Sequence, residues 1–261
     1  MDTKTEEFLC MLLWTCEALS RPTFRNLTES FEEWAYRNGF LRQVQRLEKQ
    51  QFIERPPGQA GDRLHRLTEA GRLRALGGRD PEARWNRRWD GRWRLVLFDV
   101  PEVRTAARNR LRRYLRDRGF GYLQNSVWIT PDPVNEERAL LAGGPVDVES
   151  LILLEARPCA GETDAQIVAG AWDFAGLHKR YAAHQAVLAR RPRRPLATKE
   201  AASAFHRWLR AEREAWLEAM ECDPLLPESL LPTGYIGRGA WQHRLAVMAE
   251  AGELMRAFAG L

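Results

Sequence analysis

The chain has 261 residues, 44% of them hydrophobic and 29% charged, with a formal charge of +5 and a pI near 9.3. That length exceeds one typical domain and predicts two or three compact units, each able to bury a core; the composition excludes a disordered or collagen-like chain. The apolar run Phe8 to Trp14 is preceded by Glu6 and Glu7 and soon meets Glu17. It therefore lacks both a basic leading region and spanning length, so a cytoplasmic protein without a membrane segment is expected. Cys10, Cys16, Cys159 and Cys222 are scattered, with no C-x-x-C pair, and the five histidines form no H-E-x-x-H. Neither a structural metal site nor a disulfide framework is expected.

The first segment, residues 1–76, reads as three helices, a hairpin and a further helix. Phe8, Leu12, Cys16 and Leu19 recur at helical spacing before Arg21-Pro22, and Leu27, Phe31, Trp34 and Ala35 repeat it before Asn38-Gly39. A third helix begins at Phe40. Its Phe40, Val44 and Leu47 face inward and leave Arg42, Arg46 and Lys49 as an outward stripe at i, i+4, i+7, with Gln43 and Gln45 beside them. The strand-like runs Phe52 to Arg55 and Arg63 to Leu67 flank the turn-rich segment Pro56 to Asp62, which gives a wing carrying Arg55 and Arg63. Thr68 then caps a short helix.

This order is that of a winged helix-turn-helix. An α-helix fits the DNA major groove, where arginine and glutamine address base edges while Lys49, Arg55 and Arg63 contact phosphates. The same face also suits a protein-interaction winged helix, and the pattern alone leaves both open.

Residues 77–91, rich in Arg, Gly, Asp and Trp, read as a linker. In residues 92–175, Arg92 to Pro101 is a near-continuous apolar strand, followed by a helix from about Arg104 with the core stripe Ala107, Leu111, Tyr114 and Leu115. Gly119 stops that helix. Further strands over Tyr122 to Ile129 and Val146 to Leu154, around a helix near Asn135 to Leu141, predict a split βαβ, ferredoxin-like sandwich. Residues 176–261 read as helical. The predicted class is therefore α+β, multidomain, with a winged helix-turn-helix, a ferredoxin-like centre and a helical C-terminal domain.

Charge is distributed unevenly along the chain. Met1 to Ala75 holds 12 Lys/Arg against 11 Asp/Glu, whereas Leu76 to Arg118 holds 13 against 6. Arg104, Arg108, Arg112 and Arg116 follow one another at i, i+4 steps, with only Glu102 and Asp117 nearby, and such a row repels itself unless something anionic lies across it. Three occupants suit it: a small anionic effector, the DNA backbone, or acidic residues such as Glu212, Glu214 and Glu218.

Two long stretches carry a family resemblance. Trp89-Asp90-Gly91-Arg92-Trp93-Arg94-Leu95-Val96-Leu97-Phe98-Asp99-Val100-Pro101-Glu102, continuing through Gly119 to Pro131, resembles the central domain of the PaaX family of bacterial regulators. Asp223-Pro224-Leu225-Leu226-Pro227-Glu228-Ser229-Leu230-Leu231-Pro232, with Gly237 and Gly239-Ala240, resembles that family's terminal signature. The resemblance implies a winged helix, a central domain like that of the CRISPR adaptation nuclease, and a helical C-terminal domain. It also implies a homodimeric repressor that binds double-stranded operator DNA and is relieved by an acyl-coenzyme A thioester, with no cofactor and no catalytic residue. Gln51 stands where the family commonly has glycine before the wing, and Tyr235 where it has tryptophan.

The rival class is a metal-dependent nuclease, or an RNA-binding protein acting through the CRISPR-like domain, since Asp99 sits at the strand end where the related nuclease places a metal-binding aspartate. Clamping a phosphodiester displacement needs more than one carboxylate, and only Glu102 is close in sequence. Asp99 is read instead as a turn or capping residue.

Overall fold

The computed structural model describes residues 40–54, 66–75, 78–99, 105–124, 126–134, 150–193, 195 and 199–259. The helices expected before Phe40, the helix near Asn135 to Leu141, and Arg55, Arg63 and Arg104 lie outside the described residues. The chain divides into two compact units, one of residues 1–80, 183–217 and 238–261, the other of residues 81–182 and 218–237.

In the first unit, α1 (Phe40–Lys49) ends in a double backbone closure: Phe52 N–H donates to the Leu47 carbonyl and Gln51 N–H to that of Glu48, both at 2.9 Å. This termination requires a left-handed residue, and Gln51 supplies it at φ 58°. The family's glycine preference at this point thus has a backbone cause. Strands β1 (Ile53–Glu54) and β2 (Arg66–Leu67) pair antiparallel, Ile53 opposite Leu67. Thr68 Oγ1 donates to the Gln51 carbonyl at 2.6 Å and accepts from Gly71 N–H at 3.0 Å. It therefore caps α2 (Glu69–Ala75) as the sequence predicts.

The same unit contains a buried ionic cluster on three helical segments. Its carboxylate, Glu212, accepts from His184 Nε2 at 2.9 Å and from Arg244 Nε and Nη2 at 2.6 and 3.2 Å, and all three side chains are at most 1% exposed. The Arg244 guanidinium lies over the Trp216 ring at 4.7 Å. Burial pushes the Glu212 carboxyl up, but the Arg244 charge and the bonds from His184 and Arg244 outweigh it and hold it below the usual range.

The second unit is built on a four-stranded antiparallel sheet. Within residues 77–91, Pro81–Trp85 form a short helix, α3, whose Trp85 is buried. The strands β3 (Trp93–Asp99), β4 (Gly121–Gln124), β5 (Val127–Thr130) and β6 (Ser150–Ala156) lie in the order β4-β5-β3-β6. Helix α4 (Thr105–Asp117) connects β3 to β4, and β5 inserts between them antiparallel to both. That arrangement is the split βαβ predicted for a ferredoxin-like sandwich.

One face of the sheet, through Val96, Phe98 and Trp128, packs on Leu111 and Leu115 of α4. Its other face, through Trp93 and Ile129, is covered by Val168 and Ala171 of α5 (Asp164–Ala171) and by Leu226 and Leu230. Helix α4 closes as α1 does, with Gly119 at φ 82° and Phe120 N–H bonded to the Leu115 carbonyl at 3.0 Å. Longer helices complete the described residues: α6 (Phe174–Ala189), α7 (Lys199–Cys222) and α8 (Gly237–Ala259). No described helix is long and apolar enough to cross a membrane.

Two consequences are measurable. Gly119→Ala places a β-carbon in the left-handed region and should lower stability by about 1 kcal/mol, read as an earlier urea midpoint; an unchanged midpoint would contradict the closure. Glu212→Gln leaves the Arg244 charge buried without its counter-charge and should cost about 3 kcal/mol at neutral pH. A carboxyl held below its ordinary range stabilises the fold above that range and loses its contribution as pH falls through it. The variant should therefore lose less stability than wild type as pH falls below about 4.5, the ordinary glutamate value. A loss under about 1 kcal/mol with an unaltered acid limb would refute the cluster's role.

Candidate nucleic-acid interface

On α1, Leu47 is fully buried, whereas Gln45, Arg46 and Lys49 are exposed. This is the polarity of a helix packed by one face and offering the other. Arg42 and Gln43 belong to the same helix, with side chains outside the description. Two helix positions separate Arg46 from Lys49 on the face that carries Gln45, so a guanidinium, an amide and an ammonium are available within one turn and a half. Those groups match the donors and acceptors of base edges and the charge of phosphates. The strand pair that follows is anchored by Ile53, which is buried, and by the Thr68 bond to Gln51. The segment after α1 is therefore tied back to the end of the helix it follows.

A second basic surface lies on α4, where five arginines and one aspartate occupy 13 residues. The structure distributes the predicted i, i+4 row around the helix: Arg108 and Arg112 are half-buried and Arg116 is exposed. The cause is angular, because four residues turn an α-helix by 40° beyond a full turn, so the two steps from Arg108 to Arg116 carry the row from beside the core to the outer side. Arg110 and Arg113, which the sequence reading did not single out, are exposed. They were identifiable from the core positions Leu111 and Leu115, which fix the opposite side of the wheel. The Arg116 guanidinium lies over the Trp128 ring at 5.7 Å, which fixes its stem against the domain core.

The acidic residues named as counter-charges are already engaged. Glu212 is enclosed by His184 and Arg244, Glu214 pairs with Arg210 at 3.9 Å, and Glu218 pairs with Arg180 at 3.9 Å. Elsewhere in the second unit basic side chains are matched: Arg84 and Arg87 share Asp132, at 2.7 and 2.6 Å, and Arg94, 6% exposed, grips Asp90 through both terminal nitrogens at 2.8 and 2.5 Å. The strand read as continuously apolar thus contains a buried arginine. Bonding from Arg94 holds the Asp90 carboxyl below its usual range.

Asp99 ends β3 with an exposed side chain. Among the described residues no group of three or more His, Cys, Asp or Glu side chains is placed to hold a metal ion. The C-terminal signature is structural: Asp223, buried, accepts from the Tyr181 and Tyr235 hydroxyls, each at 2.5 Å, and from Leu225 N–H at 2.7 Å. Tyr235 also accepts from Trp85 Nε1 at 3.1 Å, so at this position a hydroxyl makes bonds that an indole could not accept. Its ring explains Gly237, where a β-carbon would meet the Tyr235 hydroxyl at 2.1 Å.

These features agree with comparisons to known proteins. Residues 86–168 match the family model of the PaaX protein central Cas2-like domain. No curated protein matches the chain. Among solved structures, the uncharacterized protein Rv0674 from Mycobacterium tuberculosis is similar at 23% identity over 84% of this chain and 82% of that one, with a TM-score of 0.46. The matched residues 86–168 span all four strands, α4 and the start of α5, so it is this sheet and its helices that are similar to the PaaX central domain.

Proposed function

We propose that the chain is a DNA-binding transcriptional regulator that reads duplex DNA through the exposed face of α1, as the recognition helix of a winged helix-turn-helix. The observation that carries this reading is the conjunction of that face, Gln45, Arg46 and Lys49, with a following antiparallel strand pair and a capped helix, on a chain whose centre is similar to the PaaX central domain. A base-reading arginine discriminates by bidentate bonds to guanine, while Lys49, Arg55 and Arg63 add sequence-independent affinity. The chain acts as a homodimer, whose twofold axis is matched by two half-sites in the operator. It is a repressor, and occupancy of the operator excludes transcription.

Release comes from an acyl-coenzyme A type thioester, whose phosphates are drawn to α4 through Arg104, Arg108, Arg112 and Arg116. The support for that site is charge alone. An effector that binds the DNA-incompetent arrangement about tenfold more tightly supplies about 1.4 kcal/mol of coupling.

Arg42→Ala and Arg46→Ala should each weaken binding to a selected operator by about 1–3 kcal/mol and relax its base preference, whereas Lys49→Ala should weaken all duplexes alike. Mobility-shift titrations decide this, and wild-type affinity in both arginine variants would remove α1 from the role of reader. Calorimetry with a panel of acyl-coenzyme A thioesters tests release. Binding unchanged in an Arg108→Ala, Arg112→Ala double variant would remove the site, and operator affinity unchanged at saturation would remove the effector. With magnesium or manganese the protein should leave DNA and RNA intact. Cleavage abolished by Asp99→Ala would restore the nuclease reading.

A further inference from the structure

We propose that the outer face of α4, through Arg110, Arg113 and Arg116, is a second contact with duplex DNA, made to the phosphate backbone and independent of base sequence. The inference deepens the regulator reading and rests on it for the identity of the polyanion. Its geometry comes from the core. Leu111 and Leu115 fix the buried side of the helix, and Arg113 lies at the centre of the opposite arc, with Arg110 and Arg116 about 60° to either side of it. The three span about 9 Å of helix rise. All three are exposed, and Asp117 alone opposes them on the helix.

Like charges spaced three residues apart destabilise an isolated helix by a few tenths of a kcal/mol per pair, so an unpartnered row of this kind works against the fold. Other arginines in this unit, Arg84, Arg87, Arg92 and Arg94, meet carboxylates. Among the described residues Arg110 and Arg113 meet none. Glu212, Glu214 and Glu218, the acids read from sequence as possible partners, are held by His184 with Arg244, by Arg210 and by Arg180. What complements the row therefore comes from outside the described residues.

A duplex presents one phosphate charge per about 1.7 Å of its axis, so 9 Å of helix meets about five charges. That charge density exceeds what a few carboxylates on a protein surface supply. The row differs from the half-buried Arg108 and Arg112, which flank the core side and belong to the proposed effector site. One helix thus offers two faces that share Arg116 at their edge, and they are separable by mutating Arg108 with Arg112 on one side and Arg110 with Arg113 on the other.

The test is fluorescence anisotropy of the full chain with a labelled duplex of random sequence, titrated between 50 and 200 mM salt. Each lost phosphate contact removes about 0.9 from the slope of log affinity against log salt. An Arg110→Gln, Arg113→Gln double variant should therefore show a slope shallower by about 1.8 and, at 50 mM salt, at least about tenfold weaker binding. Arg207→Gln, an exposed site on α7, serves as control and should leave both unchanged. The ratio of operator to random-duplex affinity should be the same in the double variant as in wild type.

A slope and affinity equal to wild type in the double variant would overturn the proposal. So would loss of single-stranded RNA binding with duplex DNA binding intact, or loss of thioester binding without a change in slope. The two readings fail separately: a chain that binds operator no better than random duplex, yet still loses slope in the double variant, removes the regulator reading and keeps this surface.

Discussion

A carboxylate taken out of water must have its charge answered by donors, and in the second unit Asp223 organises the C-terminal signature around that requirement. Two tyrosine hydroxyls and the Leu225 backbone amide converge on it. Burial first, and then the Asp223 charge, push both phenols well above their ordinary range, so they remain donors throughout the physiological range. Leu225 is held at φ 49°, and its carbonyl accepts from Arg87 Nη1. With the backbone fixed there, Leu226 and Leu230 are delivered onto Trp93 and Ile129 of the sheet. The strands that match the PaaX central domain therefore share one core with a segment about a hundred residues further along the chain.

Local physics made much of this visible in the amino-acid sequence. The core positions Leu111, Tyr114 and Leu115 of α4, its stop at Gly119, the Thr68 cap and the β3 strand each depend on neighbours within a few residues, and each is found where the pattern places it. The strand order β4-β5-β3-β6 follows from the split βαβ expectation. Long-range choices were less legible. Nothing local says that Asp223 to Pro227 covers a sheet face, because the packing partners lie far away in sequence. Arg94 lies in a strand read as near-continuously apolar, and its burial is explained by Asp90 together with the distant Pro131 carbonyl and Glu155, which bond the same guanidinium.

The candidate site divides in the same way. Arg46 and Lys49 were readable as an outward stripe because Leu47 between them is core. The α4 arginines were read along one diagonal of the sequence, i, i+4, whereas exposure follows the complement of Leu111 and Leu115 and selects Arg110, Arg113 and Arg116. Distributing acids to fixed partners elsewhere sharpens that contrast. Among the described residues the charged side chains thus fall into two groups: arginines paired with carboxylates, such as Arg94 with Asp90 and Arg244 with Glu212, and exposed cations on α1 and α4 that the proposed function assigns to DNA.

The central claim is that one helix reads base sequence while the remaining positive surface adds affinity without discrimination. In vitro selection of full-length chain against a randomised duplex library, followed by sequencing of each round, tests it most directly. The account predicts enrichment of a single two-half-site motif whose half-sites are about one helical turn apart, 10–10.5 base pairs centre to centre, or a multiple of it. Retention of the library without enrichment of any motif, after rounds that keep the protein saturated at moderate salt, would contradict it.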